Sequence, residues 1–413
     1  MPSAPTGRSP HLLRGSCALA AAGLLTLTSA CAGGGGEEEV TSLTAMDYNL
    51  AEPQNGTTQK MLDECGRQSG VEIKRDAQPR DQLMPRLLQS ASQQELPDLM
   101  LLDNPNLPQM AATGGLLPLD EAGFDTGGYY PSVLEVGTHE DTLYGIAPGV
   151  NGLALFTNTA MLEDAGVEPP RTWDGLRGAA GDLTRGKTKG LAFSAIGHEE
   201  GTWTFEPFLW SNGATLTELD SPEAVEALEL WSDLVEEGSV SQSAVNWSQA
   251  DVNDQFLGER AAMMINGSWQ LPVLDEEGAE YDVVPLPVPG EGADPATPMG
   301  GEVWAVARSG GEREKKSVEV LQCLLSDENM REWAELNAYV PAKEEAAQQL
   351  AEDDPRMAPF VESVPTARSR TAQLGEDYPD VSAAIADAVQ EALAGSGSAE
   401  EALATAQKSV PES

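Results

Sequence analysis

The first third of the chain alternates between short apolar runs and amphipathic stretches. The runs at 41–50, 71–76 and 97–103 have the composition of strands. The last of them, PDLMLLD, is apolar enough for a parallel strand that is buried on both faces. Between them, 57–69 and 79–94 repeat apolar residues at helical spacing. Strands that alternate with helices in this way predict an α/β domain.

Breaks in this pattern indicate where the chain changes direction. The run 144–158 has strand composition, but a proline and two glycines interrupt it, which is typical of a turn or a crossing between lobes. Helical patterns dominate from 159 to about 295 and include a predicted helix at 205–214. A strand at 300–308 follows, and helices continue to about residue 407. The chain has no internal repeat.

The N-terminus has the pattern of an export signal. Arg8 and Arg14 lead into the apolar region 16–30, which ends in small residues directly before Cys31. The ending Leu-Thr-Ser-Ala-Cys resembles a bacterial lipoprotein signal, which implies that residues 1–30 are removed and that Cys31 is acylated. Plain secretion, with an incidental Cys31, is the alternative. With two or more acyl chains the anchor would be stable, and 31–40 would be a flexible tether.

Charge excludes several classes of function. The chain has 24 Lys and Arg against 67 Asp and Glu, a formal net charge of −43, and the predicted signal removes only positive charges. Nucleic-acid binding needs a basic face, and the sequence has none. A membrane-spanning channel is excluded because the only apolar stretch that approaches bilayer length is the N-terminal one. Membrane attachment is therefore expected through lipid, not through a basic patch.

Two cysteines remain besides Cys31 and the signal's own Cys17. Cys65 and Cys323 each lie in a helical pattern with apolar neighbours. In an exported protein two thiols favour a disulfide, yet both residues could equally be separate thiols in the core. The sequence leaves these alternatives open.

Five segments, 97–120, 144–176, 208–235, 256–269 and 300–306 with 324–342, together give the chain a resemblance to a known family. It resembles the extracellular solute-binding proteins of carbohydrate ABC importers, the maltose-binding-protein-like group known as family 1. Each segment is weakly specific alone, and their order along the chain is what carries the resemblance.

This resemblance implies an α/β, two-lobed periplasmic-binding-protein-like fold of type II, with a ligand cleft between discontinuous lobes joined by a hinge. The first lobe is expected to hold 41–148 and 298–338, and the second 150–296 and 340–413. Both cysteines then fall in the first lobe. The chain is expected to cross the hinge at Pro148–Gly149, Pro298–Gly301 and Tyr339–Pro341.

A sugar offers apolar C–H faces and a rim of hydroxyls, so its site needs flat aromatic rings and polar side chains. Four of the eight tryptophans lie in helical patterns and are expected to be core. The other four, assigned to loops or breaks, are Trp203, Trp247, Trp269 and Trp304. The resemblance implies that Trp269, in the NGSW turn, stacks on a sugar ring. Packing beneath a loop is the alternative for all four.

The polar candidates follow the strand ends and the crossings. Asp103 and Asn104 end the strand at 97–103, where an open α/β sheet binds its ligands. Asn151 lies at the first crossing, and Glu206 matches a cleft-facing position of the family. Asn49, at the end of the first strand, and Arg368 with Arg370, in a late segment, are looser candidates.

Several functional alternatives remain beside a sugar-binding protein. An exported glycoside hydrolase with two carboxylates is the main one, and a polyamine or other non-sugar ligand is another. The sequence has no serine-hydrolase elbow, zinc-protease motif or dinucleotide fingerprint, so no metal or cofactor is expected. The resemblance implies a monomer that delivers its sugar to permease subunits with a separate ATPase, and the four tryptophans in loops or breaks indicate a di- or oligosaccharide.

Overall fold

The computed structural model describes residues 39–411. The predicted signal, the acylation site Cys31 and most of the predicted tether lie outside the described residues. Within residues 39–411, no helix has the length and apolar character needed to cross a bilayer.

Strands and helices alternate along the described chain. The strands are β1 (Ser42–Asp47), β2 (Glu72–Ala77), β3 (Leu99–Asp103), β4 (Thr138–His139), β5 (Thr142–Leu143), β6 (Gly145–Ile146), β7 (Gly149–Val150), β8 (Leu153–Asn158), β9 (Lys189–Ala192), β10 (Ala261–Gly267), β11 (Tyr281–Val284), β12 (Glu302–Val306) and β13 (Val340–Pro341). The helices are α1 (Gln54–Gln68), α2 (Arg80–Gln93), α3 (Leu107–Ala112), α4 (Pro131–Glu135), α5 (Thr159–Ala165), α6 (Trp173–Leu183), α7 (Glu199–Ser211), α8 (Pro222–Glu236), α9 (Gln249–Leu257), α10 (Leu271–Glu276), α11 (Gly311–Leu324), α12 (Asp327–Asn337), α13 (Glu344–Asp353), α14 (Ala358–Ser363), α15 (Tyr378–Leu393) and α16 (Ala399–Ala406).

The first lobe is built on a five-stranded sheet in the order β2-β1-β3-β12-β6. β1 is parallel to both β2 and β3, as the alternation of strands and helices predicts. β12 enters from much later in the chain and runs antiparallel to β3, which pairs Glu302 with Asp103. Because β3 ends at Asp103, both carboxylates lie at the carboxyl end of this strand.

The second lobe is built on a four-stranded sheet in the order β11-β8-β10-β9. Successive residues of β8 alternate between two cores, since Leu155 packs with the helices α6, α7 and α8, and Phe156 packs on the opposite face. A strand covered on both faces must be apolar throughout, and this explains the continuous hydrophobic run LALF.

Four chain segments lie side by side between the two sheets. β7 pairs with β13, so that Val150 faces Val340. Beside them Asn151 bridges Gly300, and Pro298 bridges Arg368. The three predicted crossings therefore meet here, together with a fourth segment around Arg368.

Residues 342–366 contact both α4 and the second sheet. Ser132 of α4 donates to the carbonyl of Val364, and Phe360 packs against Phe156 of β8. From Tyr378 onward, α15 and α16 pack on α7 and α8 of the second lobe.

Cys65 and Cys323 form a disulfide that joins α1 to α11 within the first lobe. Cys65 is fully buried, and the Asn329 side chain donates to the carbonyl of Cys323 beside it. Of the two alternatives that the sequence leaves open, the structure therefore has the bridged one.

Candidate functional site

A cleft of about 550 Å³ lies between the two sheets. It has the size of small-molecule sites, which span roughly 300–1,000 Å³. Three kinds of chain segment line it: the edge of the first sheet, the crossing segments and the helix ends of the second lobe. The lining residues are Arg80, Asp103 and Glu302; Asn151, Gly300, Gly301 and Tyr339; and His198, Glu199, Glu200, Trp203, Gln249, Trp269 and Arg370.

The first-lobe wall is a network of charged and phenolic groups beside the carboxyl end of β3. Arg80 Nη1 donates to Asp103 Oδ2 at 2.9 Å, and its guanidinium lies 4.1 Å from the ring centroid of Tyr48. The Tyr48 hydroxyl donates in turn to Glu302 Oε1 at 2.6 Å. Each side chain is held by its neighbour, so this wall is preorganised before a ligand arrives.

Glu302 is the most confined carboxylate of this wall. It is 6% exposed, and its Oε1 also accepts from the Tyr339 hydroxyl at 3.4 Å. Its Oε2 has no hydrogen-bond partner within residues 39–411. Burial raises the pKa of Glu302, because an apolar surrounding disfavours the charged form.

Trp269 forms part of the second-lobe wall. It lies in a short 3-10 turn, Ser268–Gln270, directly after the central strand β10. Its indole lies over Gly267, and a Cβ atom at that glycine would overlap the ring. The ring is half-buried, so it offers part of an aromatic face to the cleft.

Trp203 has a different environment from the predicted one. The helix predicted at 205–214 begins at Glu199, where the His198 side chain caps it, so Trp203 lies inside α7 instead of in a loop. It is only 6% exposed. One face of its ring is occupied, because the Arg370 guanidinium lies 4.5 Å from the ring centroid. Gly300 approaches the indole edge so closely that a Cβ there would lie 2.5 Å from Cη2.

Arg370 links the two lobes at the back of the cleft. Its Nη2 donates to Asn104 Oδ1 at 2.8 Å and lies 3.6 Å from Asp103 Oδ1. Its Nη1 pairs with Glu199 of the second lobe. At 5% exposure this guanidinium is buried, and its charge is balanced by carboxylates from both lobes.

Tyr378 of α15 extends this network into the second lobe. Its hydroxyl lies 2.7 Å from Glu199 Oε1 and 2.9 Å from Glu206 Oε1. Glu206 is fully buried, and its Oε2 has no partner within the described residues. Burial, and after it the negative charge of Glu199, raises the pKa of Glu206 well above the usual range of a carboxyl.

The structure brings four of the ten predicted ligand-binding residues into the lining: Asp103, Asn151, Trp203 and Trp269. Arg370, a looser candidate, joins them. Asn104 and Glu206 lie one contact behind the cleft, where both belong to the network around Arg370.

The other four predicted residues lie outside the lining, each for a local reason. Trp304 is in β12 and packs in the core at 2% exposure. Trp247 is half-buried, and its carbonyl accepts from Ser194. Asn49 donates to Thr58 Oγ1, and the guanidinium of Arg368 lies 5.7 Å from the ring centroid of Trp210.

Sequence reasoning missed seven polar or aromatic residues of the lining. Glu302 had a usable signal, since it follows the glycine pair at the predicted second crossing, and so did Tyr339 at the third. Glu200 and Gln249 meet only in the fold, where the Gln249 backbone N–H donates to the Glu200 carboxylate. The seven are Arg80, His198, Glu199, Glu200, Gln249, Glu302 and Tyr339.

Comparison with known families decides the assignment. A family model described as bacterial extracellular solute-binding protein matches residues 60–359. The chain belongs to this family. The predicted recognition is thereby confirmed, and the family is one of extracellular binding proteins.

Solved structures show the same two-lobed fold. The cyclic alpha-maltosyl-1,6-maltose binding protein from Arthrobacter globiformis has a TM-score of 0.78 at 24% identity, covering 90% of this chain and 98% of that one. An ABC transporter solute binding protein from Thermotoga lettingae TMO, bound with alpha-D-tagatose, has a TM-score of 0.76 at 24% identity with the same coverage. The predicted type II fold is therefore confirmed.

A curated relative is similar over a shorter stretch. The maltotriose-binding protein of Pyrococcus abyssi (strain GE5 / Orsay) is 24% identical over 202 residues, which are 46% of this chain and 42% of that protein.

Proposed function

We propose that this solute-binding protein captures a saccharide in its interlobe cleft and delivers it to the permease of an ABC importer. The observation that carries the proposal is the meeting of one half-buried indole, Trp269, with a rim of amide, carboxylate and hydroxyl groups in a single cleft. An aromatic face suits the C–H face of a sugar ring, and the polar rim suits its hydroxyls.

The two walls offer complementary hydrogen-bonding groups. Asn151 and Gln249 each carry an amide that can both donate and accept hydrogen bonds. The carboxylates of Asp103 and Glu302, when ionised, can accept hydrogen bonds but cannot donate them. A sugar hydroxyl also donates and accepts, so a cleft of this mixed character recognises it well. A micromolar dissociation constant requires about −8 kcal/mol, which one stacked ring and several charge-assisted hydrogen bonds can supply.

Relatives support a saccharide over other solutes. One solved structure of the same fold is bound with alpha-D-tagatose, and another is a cyclic alpha-maltosyl-1,6-maltose binding protein. A curated relative is named for maltotriose. The cleft volume of about 550 Å³ leaves room for more than one sugar ring. We therefore infer a di- or oligosaccharide.

Transport follows from the same proposal. The saccharide would contact both walls, so the closed arrangement of the lobes would gain contacts that the open one lacks, and the population would shift toward closure. The closed form would dock on the permease, whose ATPase is a separate subunit. Acylation of Cys31 would hold the protein at the outer face of the membrane.

Titration of intrinsic tryptophan fluorescence tests this function. Trp203 and Trp269 line the cleft, so a bound saccharide changes their environment. We expect a saturable change with at least one member of a panel of di- and oligosaccharides, each recovered intact. Saturation by spermidine or a peptide alone would contradict a sugar-binding function, and release of hydrolysed sugar would favour the glycoside-hydrolase alternative.

A further inference from the structure

Carboxylates outnumber cations among the residues that line the cleft. Arg80 pairs with Asp103 at 2.9 Å, and Arg370 pairs with Glu199. Both guanidinium groups are thus engaged by the protein itself, and each also lies against an aromatic ring, Tyr48 or Trp203.

Two carboxylates of the lining are left without a cationic partner among the described residues. Glu302, on the first-lobe wall, accepts only from the hydroxyls of Tyr48 and Tyr339, and its Oε2 has no partner. Glu200, on the second-lobe wall, accepts from the backbone N–H of Gln249. The two therefore come from opposite sides of the cleft.

An ionised carboxylate in such a place is costly. Glu302 is only 6% exposed, and Asp103 is its direct cross-strand neighbour. Desolvation, the largest effect, and the like charge of Asp103 disfavour the ionised form, while the Tyr48 hydrogen bond and the charge of Arg80 favour it in part. A cation brought by the ligand would offset the remaining cost. A neutral hydroxyl can donate a hydrogen bond to the carboxylate, but it brings no positive charge to balance it.

We propose that the saccharide bound in this cleft carries a protonated amino group, which Glu302 receives from the first-lobe wall and Glu200 from the second. The inference rests on the proposed function and names the chemical class of its ligand. The protein's net charge of −43 acts in the same direction, because a strongly acidic protein attracts cationic ligands over long range and repels anionic ones.

Matched saccharides that differ in one substituent test the proposal. Calorimetric titrations of the full mature chain would use sets with a free amine, an N-acetyl group or a hydroxyl at the same carbon. Suitable sets are glucosamine, N-acetylglucosamine and glucose; galactosamine, N-acetylgalactosamine and galactose; and glucosaminyl-glucosamine, diacetylchitobiose and cellobiose. In at least one set we expect the amine to bind about tenfold or more tightly than both neutral members.

Variants connect this preference to the two carboxylates. In Glu302→Gln the ratio between amine and N-acetyl affinities should fall close to parity, and Glu200→Gln should lower the same ratio. Glu72→Gln is the matched control, because Glu72 is exposed at the start of β2, away from the cleft, and its removal takes away the same charge. Thermal unfolding of each variant, read by circular dichroism, checks the fold, and the Glu200 variant decides the question if Glu302→Gln does not fold.

The outcomes separate this inference from the proposed function. If neutral members bind as tightly as amines in every set, the amino group is contradicted, and if both Gln variants keep a wild-type ratio that favours the amine, its recognition by Glu302 and Glu200 is contradicted. Saccharide binding stands in both cases. If no saccharide binds and spermidine does, both proposals fail.

Discussion

At the scale of single residues, the cleft depends on side chains that the protein has already fixed. Asp103 is held by Arg80, and Glu302 by Tyr48. Trp269 lies over a glycine that leaves room for its ring. Binding then costs little ordering of side chains, which is how a modest cleft reaches useful affinity.

Trp269→Ala should weaken saccharide binding about tenfold or more and leave the fold intact. The indole is half-buried at the cleft, so its removal deletes the stacking surface without opening the core. Calorimetry with a saccharide identified by fluorescence measures the change, and Trp247→Ala, outside the lining, is the control. An unchanged dissociation constant would remove Trp269 from the site.

Glu206→Gln should stabilise the protein more at pH 8 than at pH 5. Burial and Glu199 raise the pKa of Glu206, so the folded state binds the proton more tightly than the unfolded state does. The wild type therefore loses folding free energy as pH rises above the ordinary carboxyl pKa of about 4.3, by about 1.4 kcal/mol for each unit by which the pKa is raised.

Urea unfolding of both proteins across this pH range measures the difference. Glu229→Gln, at an exposed position of α8, removes the same charge without burial and serves as the control. A stability difference that shrinks as pH rises would contradict the raised pKa of Glu206.

The sequence predicts the cleft residues that lie at strand ends better than those that reach the cleft only through the pairing of distant strands. Asp103 was found because a buried strand ends there. Glu302 was missed because only the antiparallel insertion of β12 beside β3 places it opposite Asp103. The Gly201 before Trp203 predicts a loop there, yet the helix that holds Trp203 begins at Glu199.

At the scale of elements, the crossing segments pack tightly against α7. Gly300 bridges Asn151, and a Cβ at Gly300 would collide with Asn151 Oδ1 and press on the edge of Trp203. A glycine is needed at this position because of this close approach. The order of strands and helices was predictable from periodicity, but this contact between distant segments was not.

Gly300→Ala should destabilise the protein by about 1–3 kcal/mol, the usual cost of overpacking, and weaken saccharide binding at the same time. Gly178→Ala is the matched control, because a Cβ there meets no atom within 4 Å in α6. Removing a mid-helix glycine should stabilise by about 0.5–1 kcal/mol. Wild-type stability and affinity in Gly300→Ala would contradict the close packing.

At the scale of the whole molecule, each sheet supports one wall of the cleft, so that a single ligand can contact both walls. The resemblance predicted this arrangement, because its five segments cover both lobes. It did not predict that residues 342–366 contact both α4 and β8, since helical periodicity shows which face is apolar but not which neighbour covers it.

Hydrogen–deuterium exchange of the full chain, with and without a saturating saccharide, tests most directly whether one ligand bridges the two walls. The account predicts slower exchange on both sides of the cleft, in the peptides around Glu302 and Asn151 and in those around Glu200 and Trp269. Saturation with no change on either wall, or protection confined to surfaces outside the cleft, would contradict it.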